Sequence, residues 1–260
     1  MARISGSEQG SQRLAGKVVV VTGAARGQGA AQVVALGRAG ATVVATDARP
    51  DGVEGCRRLD VSREDDWGAL AAELEGEFGQ VHGLVNNAGV IRRERLGEVR
   101  VDDFADVQAV NTVGPLLGIQ YLSPLMPPGS SIVNVGSSAA LTGYYPVAYT
   151  ASKWALRGVS KIAAMELGAR GIRVNTVHPG YIETEMTAGA TAAFREATIG
   201  ETPLGRSGRA EDIAPLVVFL ISDESSFITG AEIPVDGGLT AHGGVKSISD
   251  AMRPQGVDMP

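Results

Sequence analysis

Short apolar runs alternate with longer amphipathic stretches along most of the chain. The runs are rich in valine and isoleucine and predict strands, whereas the stretches repeat apolar side chains at helical spacing. The predicted strands cover residues 17–21, 41–46, 81–85, 131–135, 172–177 and 232–235. The predicted helices cover residues 30–39, 64–78, 102–126, 149–168 and 210–222. This alternation predicts a single α/β domain with a doubly wound, mostly parallel sheet of about seven strands.

The two ends of the chain and one connection depart from this alternation. Residues 1–14 predict a disordered tail before a domain at residues 15–240. Residues 241–260 are rich in glycine and predict a loose extension, or one that lies over a neighbouring subunit. Only twelve residues separate Asp47 from Asp60, which is too few for a crossover helix with its loops, so we expect a short loop there.

Composition narrows the class of protein. The 260 residues are 44% hydrophobic and 20% charged, which is ordinary for a globular domain with a sizeable core. A formal net charge of -6 argues against nucleic acid and anionic membranes as partners. Cys56 is the only cysteine, so the chain cannot form an internal disulfide. The sequence has neither a secretory signal nor an apolar run of membrane-spanning length, and the expected location is the cytoplasm.

A glycine-rich segment, T-G-A-A-R-G-Q-G at residues 22–29, connects the first predicted strand to the first helix. Gly23, Gly27 and Gly29 allow the backbone to approach a pyrophosphate, and the helix presents free N–H groups there. The spacing differs from the usual G-x-G-x-x-G, and a glycine loop alone can be a tight turn. Its place between a buried strand and a helix favours a dinucleotide-binding site.

Asp47 ends the second predicted strand, where a carboxylate can accept hydrogen bonds from both ribose hydroxyls and repels a 2′-phosphate. This position favours NAD as cofactor, although Arg26 in the glycine loop could favour a 2′-phosphate instead. Asn87, Ala88 and Gly89 follow another strand, where small residues would let a ribose or nicotinamide lie against the backbone. An ordinary turn has the same composition.

Tyr149 and Lys153, in the segment Y-T-A-S-K, stand four residues apart and share one helix face. An ammonium beside a phenol favours the phenolate and lowers the tyrosine pKa, which makes Tyr149 a candidate proton donor and acceptor. The pair alone also fits an exposed helix face. Together with the glycine loop, it indicates hydride transfer coupled to proton transfer at a carbonyl or secondary alcohol.

In this order the motifs resemble the short-chain dehydrogenase/reductase family, from about residue 14 to residue 238. Within that family the chain is most similar to the bacterial 3α,20β-hydroxysteroid dehydrogenase branch. The resemblance rests on T-G-A-A-R-G-Q-G, Asp47, L-D-V (59–61), N-N-A-G (86–89), V-N-T (110–112), Ser137, Y-T-A-S-K, H-P-G (178–180) and V-D-G-G (235–238).

The resemblance implies a Rossmann-like fold and a role for each matching residue. Tyr149 would be the general acid/base, and Lys153 would lower its pKa and hold the nicotinamide ribose. Ser137 would hydrogen-bond the substrate oxygen, and Asn111 would anchor a water that relays the proton past Lys153. The implied cofactor-binding set is Gly23, Arg26, Gly27, Gln28, Gly29, Asp47, Asp60, Val61, Asn87, Ala88, Gly89, Tyr149, Lys153, Pro179, Gly180, Ile182 and Thr184.

One position departs from the family pattern. The family's serine usually precedes the tyrosine by thirteen residues, where this chain has Gly136. Ser137 precedes Tyr149 by twelve residues and Ser138 by eleven. The strand I-V-N-V-G-S favours Ser137, and Ser138 stays open as the alternative.

Several other residues have a structural interpretation beside a functional one. His178 is interpreted as a positioning residue rather than a base. His82 and His242 are isolated from other metal-ligand residues, so we predict no metal site. Tyr144, Tyr145, Tyr181 and Met186 are interpreted as walls of the substrate pocket, although aromatic residues there could also be packing residues.

The sequence therefore predicts an NAD-dependent oxidoreductase that interconverts a secondary alcohol and a ketone. The small-molecule substrate is expected to be apolar and cyclic, like a steroid or terpenoid, and the protein a homotetramer. An NADPH-dependent 3-oxoacyl-thioester reductase and a cyclic dihydrodiol dehydrogenase stay open as alternatives. A dinucleotide-binding redox sensor is the alternative outside enzymes.

Overall fold

A computed structural model describes residues 12–252 and contains one parallel sheet of seven strands. The strand order is β3-β2-β1-β4-β5-β6-β7, which confirms the predicted doubly wound sheet. The strands are β1 Val18–Thr22, β2 Thr42–Asp47, β3 Arg57–Arg58, β4 Gly83–Asn86, β5 Ser131–Val135, β6 Arg173–Pro179 and β7 Glu232–Val235.

Helices cover both faces of the sheet. They are α1 Gly27–Arg38, α2 Glu64–Phe78, α3 Val101–Gln108, α4 Gly114–Leu122, α5 Val147–Gly168, α6 Ala192–Glu201, α7 Ala210–Ile221 and α8 Lys246–Ala251. Alternate residues of β1 point to opposite faces, so Val18 and Val20 join one buried cluster and Val19 and Val21 join the other. The continuous valine run follows from burial of β1 on both sides.

The strand order reverses between β1 and β4, which are neighbours although two strands separate them along the chain. At such a point the connections leaving the two strands run to opposite faces and open a crevice at the carboxyl edge of the sheet. The glycine loop follows β1 and the segment 87–89 follows β4, so both border this crevice.

The prediction of one continuous helix over residues 102–126 is wrong. The structure has α3, a π-helical turn at Ala109–Val113, α4 and a 3-10 turn at Ser123–Leu125. Pro115 has no backbone N–H and cannot donate to the carbonyl four residues earlier, which breaks the regular α-helical ladder. The π-helical turn contains Asn111.

No helix separates β2 from β3, as the short connection predicts, and β3 is only two residues long. At the N-terminus, the predicted tail falls mostly on residues outside the described part of the chain. Leu14, which the prediction places within the tail, is buried and donates its backbone N–H to Ala39 O at 2.9 Å. The folded domain therefore includes Leu14, whose side chain belongs to the core.

The segment after Gly238 folds back onto its own chain. His242 Nε2 lies 2.8 Å from Glu201 O, and α8 packs against α6. The predicted loose extension is therefore ordered through residue 252. Within residues 12–252, no helix is both long and apolar enough to span a membrane.

Candidate active site

The glycine loop has a shape that only glycine permits. Gly23 and Gly27 have positive φ angles of 63° and 55°. A Cβ at Gly29 would lie 2.1 Å from Gly23 O, and one at Gly23 would lie 2.8 Å from Ala88 Cα. The backbone is therefore bare where α1 begins, which leaves room for a pyrophosphate against its free N–H groups.

Side chains from β1 and β4 hold this loop. Asn87 Nδ2 donates to Thr22 O at 2.9 Å and to Gly23 O at 3.1 Å. Thr22 Oγ1 accepts hydrogen bonds from the backbone N–H groups of Asn87 and Ala88, each at 3.0 Å. The two strand ends are thus joined at the crevice, where the predicted residues after β4 meet the glycine loop.

Asp47 lies at the carboxyl end of β2 and reaches the glycine loop. Its Oδ2 accepts a hydrogen bond from Ala25 N at 3.2 Å, and its Oδ1 accepts one from Arg49 N at 2.9 Å. Arg26 forms an ion pair with Glu185 at 3.5 Å. The carboxylate therefore faces the crevice, while the nearby guanidinium already has an anionic partner.

The remaining predicted cofactor residues border the same crevice. Val61 is buried against Gly114, and Asp60 Oδ1 accepts hydrogen bonds from Ser62 N at 3.0 Å and Ser62 Oγ at 2.6 Å. On the other side, a Cβ at Gly180 would lie 2.7 Å from Asp236 Cα, at the end of β6.

Two observations relate the segment after β6 to the glycine loop, and the glycine loop to a bound ligand. A Cβ at Gly27 would lie 3.5 Å from the Thr184 side chain, and Ile182 just before it is buried. Gln28 Oε1 is buried with no hydrogen-bond partner among residues 12–252. This cradle of bare backbone, with Asp47 at one end and an unpartnered amide oxygen, fits a dinucleotide.

Four predicted catalytic residues meet beside the crevice. Lys153 Nζ donates to Val135 O at 2.8 Å and lies 5.9 Å from the centre of the Tyr149 ring, and Ser137 hydrogen-bonds the Tyr149 phenol. A Cβ at Gly89 would lie 3.4 Å from Asn111 Oδ1 and 3.6 Å from Lys153 Nζ. The segments that follow β4 and β5, the π-helical turn and α5 thus converge on one point.

Asn111 is held tightly. Its Oδ1 accepts a hydrogen bond from Val90 N at 2.9 Å, and its Nδ2 donates to Val90 O and Ser152 Oγ, both at 2.9 Å. The side chain therefore fixes the segment after β4 against α5.

Burial dominates the electrostatics of this cluster. It lowers the pKa of Lys153 to about 8, and it raises the pKa of Tyr149 above its ordinary value. The hydrogen bond from Ser137 acts in the opposite direction on the Tyr149 pKa. The Lys153 ammonium donates to the Val135 carbonyl.

Contact with Tyr149 distinguishes Ser137 from the alternative, Ser138. Ser137 touches the Tyr149 phenol, and its Oγ accepts a hydrogen bond from Ala139 N at 3.1 Å. A Cβ at Gly136 would lie 2.6 Å from His178 Nδ1, so no serine fits at the position thirteen residues before the tyrosine.

The His178 ring contacts the backbone of Ser137. The ring is fully buried, and its Nδ1 lies 3.0 Å from Ser137 O and 3.3 Å from Ser137 N. Its Nε2 lies 3.4 Å from Glu232 Oε1, and that carboxylate pairs with Arg157 and with Lys161. Burial lowers the pKa of His178, which keeps the ring neutral. These contacts are those of a positioning residue.

A cavity of about 620 Å³ opens beside Ser137 and Tyr149. Tyr144, Tyr181 and Met186 line it as predicted, whereas Tyr145 packs behind Tyr144 with ring centres 5.0 Å apart. Ser138 and Gly180, which the sequence analysis names for other roles, also line the cavity. The lining residues that the sequence analysis does not predict are Ile91, Arg93, Ala139, Thr142, Thr187, Ala190, Phe194, Ala197, Thr198, Glu201, Leu239, His242, Gly243 and Gly244.

The N-cap of α6 is a sequence signal that could have revealed the part of the cavity wall that α6 forms. Thr191 caps α6, and its side chain accepts a hydrogen bond from Phe194 N at 3.2 Å. The C-terminal wall has no comparable signal, because glycine-rich sequence predicts no fixed conformation. Among residues 12–252, no cluster of His, Cys, Asp and Glu could hold a metal ion.

Comparisons with known proteins agree with this geometry. A family profile described as enoyl-(acyl carrier protein) reductase matches residues 23–240. The chain is 38% identical over 252 residues to trans-4-hydroxycyclohexanecarboxylate dehydrogenase of Sinomonas cyclohexanicum, covering 89% of this chain and 95% of that one. It is 37% identical over 263 residues to 3-alpha-(or 20-beta)-hydroxysteroid dehydrogenase of Mycobacterium tuberculosis, covering 95% and 99%.

A solved structure is also similar. Gluconate 5-dehydrogenase of Burkholderia cenocepacia, in complex with NADP and tartrate, matches with a TM-score of 0.82 at 31% identity, covering 89% of this chain and 98% of that one. The protein is therefore an oxidoreductase that acts on alcohols or ketones with a nicotinamide dinucleotide, and the redox-sensor alternative is set aside. The chain belongs to the short-chain dehydrogenase/reductase family.

Proposed function

We propose that this protein is an NAD-dependent dehydrogenase of apolar cyclic secondary alcohols, working reversibly with the corresponding ketones. The observation that carries the proposal is that Ser137 and Tyr149 line a mostly apolar cavity, while Lys153 and Asn111 meet beside Gly89 at the dinucleotide crevice.

Each residue has a proposed task in alcohol oxidation. Tyr149 as phenolate takes the hydroxyl proton, and Ser137 hydrogen-bonds the same oxygen and stabilises the charge that develops on it. The bound nicotinamide supplies the acceptor for the hydride. Lys153, with a pKa of about 8, can exchange a proton near neutral pH, and it shares the space beside Gly89 with Asn111. Ketone reduction reverses these steps.

The preference for NAD rests on Asp47. Its carboxylate lies at the glycine loop, where it can accept hydrogen bonds from ribose hydroxyls and repels a 2′-phosphate. Arg26 is the cation that could favour NADP, but it faces Glu185. Replacing Asp47 by Asn should therefore reduce the ratio of kcat/KM for NAD to that for NADP.

The preference for a ring rests on the shape and chemistry of the cavity. Tyr144, Tyr181 and Phe194 present aromatic faces, with the Tyr181 and Phe194 rings 5.8 Å apart at 72°. Such walls suit a compact apolar ring better than a flexible chain, which loses more conformational freedom on binding. Two of the relatives described above are named for ring-bearing alcohols.

The test is the absorbance of reduced nicotinamide formed from a panel of cyclic secondary alcohols, with NAD and NADP in parallel. We expect turnover with NAD, and its loss in Tyr149→Phe while NADH fluorescence still reports binding. Turnover with NADP alone would contradict the role of Asp47. Turnover of linear 3-oxoacyl thioesters in preference to rings would support the reductase alternative.

A further inference from the structure

The cavity has a cationic side chain on an otherwise mostly apolar wall. Arg93 lies on the segment after β4 and lines the cavity, although its side chain is largely exposed at the mouth. Its Nη2 donates to Met186 O at 2.7 Å, which ties the guanidinium to the opposite wall. The charge is thus fixed at the entrance rather than extended into solvent.

The surrounding charges leave Arg93 without an anionic partner. Nearby Arg92 pairs with Asp103 at 3.9 Å, and Arg100 pairs with the same carboxylate. Across the described residues, no carboxylate lies within ion-pair distance of Arg93. Glu201 also lines the cavity, but its Oε2 is buried and out of contact with water.

Tyr144 does not neutralise this charge either. Burial raises the pKa of its phenol well above the ordinary value, and Arg93 opposes that change only in part. Tyr144 therefore stays protonated, and the Arg93 guanidinium is an uncompensated cation beside a neutral phenol. Such a group in a binding cavity favours an anion that accepts hydrogen bonds from a planar fork of donors.

We propose that Arg93 binds a carboxylate of the substrate, so that the preferred substrates are cyclic secondary alcohols that carry a carboxylate remote from the carbinol. This inference rests on the proposed function, because the carbinol must lie at Ser137 and Tyr149. The bond to Met186 O uses one of the two Nη2 hydrogens, so one edge of the guanidinium keeps two parallel N–H groups for the two carboxylate oxygens.

The experiment compares kcat/KM for 4-hydroxycyclohexanecarboxylate and its neutral carboxamide in four proteins. In wild type we expect the acid to be preferred by about 10-fold to 100-fold, the usual range for a charge-assisted hydrogen-bonded pair. In Arg93→Gln the preference should fall to nearly one, and Arg93→Lys should restore part of it. Arg92→Gln, which removes a neighbouring cation outside the cavity, should retain the wild-type preference.

The ratio separates binding of the carboxylate from loosening of the wall, because loss of the bond to Met186 affects both substrates. A wild-type preference for the carboxamide, or an unchanged ratio in Arg93→Gln, would overturn the inference while leaving the dehydrogenase function intact. Turnover of neither compound by wild type, with linear substrates oxidised instead, would overturn the proposed ring substrate and this inference together.

Discussion

The protonation of Tyr149 and Lys153 is set by burial more than by their mutual contact. Burial raises the pKa of Tyr149 and lowers that of Lys153, and Ser137 supplies the opposing hydrogen bond on Tyr149. The four-residue spacing predicts that the two side chains are close, but it carries no information on which carbonyl the ammonium meets. In the structure the Lys153 ammonium meets the buried Val135 carbonyl, at the end of β5.

The first prediction concerns Ser137→Ala. Because the hydrogen bond from Ser137 lowers the Tyr149 pKa, its loss should move the rise of kcat/KM for alcohol oxidation to higher pH. Oxidation needs the phenolate, whereas ketone reduction needs the phenol, so reduction should persist to higher pH in the variant. The rate should also fall by about 10²-fold to 10³-fold through loss of a donor to the substrate oxygen. Full pH profiles in both directions measure these effects.

Ser138→Ala is the matched control, because Ser138 lines the same cavity one residue along. Its pH profile should coincide with that of wild type. A displaced profile in Ser138→Ala, with none in Ser137→Ala, would instead assign the serine role to Ser138.

A second prediction concerns the stability cost of Lys153. Its pKa is about 8 when folded and about 10.5 in an unfolded chain, so the buried charge destabilises the fold below pH 8. Since the unfolded chain binds the proton more tightly, this cost disappears as pH rises from 8 to 10.5. Lys153→Met should thus be inactive yet more stable at pH 7, by about 3 kcal/mol less the lost bond to Val135 O.

Denaturant unfolding of wild type and Lys153→Met at pH 7 and pH 10 checks the sign. The advantage of the variant should shrink at the higher pH, because other titrating groups are common to both proteins. An advantage that grows with pH would contradict the assigned pKa.

At the scale of elements, the sequence predicts what burial and backbone chemistry decide locally. Strand β5 has the bounds that the sequence predicts, because Ile132, Val133 and Val135 give a mostly apolar run in a strand that is buried on both faces. The apolar spacing does not indicate the break between α3 and α4, because it continues across the position where Pro115 removes one backbone donor. The π-helical turn there carries Asn111, so the helix irregularity and the site coincide.

A third prediction compares two glycines of α1. A Cβ at Gly29 would lie 2.1 Å from Gly23 O, so Gly29→Ala should distort the glycine loop and abolish NADH binding. At Gly37, on the same helix, a Cβ would meet nothing within 4 Å. Gly37→Ala should keep binding and stabilise the helix by about 0.5–1 kcal/mol. NADH fluorescence titration and thermal unfolding test both; equal binding by the two variants would argue against the loop as the pyrophosphate site.

At the scale of the whole molecule, the sequence predicts the sheet and the catalytic cluster better than the cavity. The cluster depends on strand ends, whose order follows from the alternation of strands and helices. The cavity combines the segment after β4, the turn after β5, α6 and the residues after Gly238. Those segments lack periodic patterns, and their packing depends on contacts distant in sequence, such as His242 with Glu201 O.

The last prediction concerns assembly. On α5, Trp154, Ile162 and Met165 repeat at spacings of eight and three residues, share one face and leave it apolar and exposed, with Ile162 56% and Met165 73% accessible. An exposed apolar helix face can pack against its own copy across a two-fold axis, which forms a dimer. The homotetramer that the family resemblance implies needs a second such interface, and we expect the α5 face to supply one of the two. Light scattering after size exclusion should give four times 26.8 kDa for wild type.

The double variant Ile162→Glu, Met165→Glu should give a smaller species, because charges would be buried at that interface without partners. Val34→Glu on α1, 50% exposed in wild type, is the control and should keep the full mass. The α5 helix carries Tyr149 and Lys153 near its start and this face further along, so dissociation should also lower kcat by loosening the helix. A monomeric wild type, or a double variant of unchanged mass, would exclude this face as an interface.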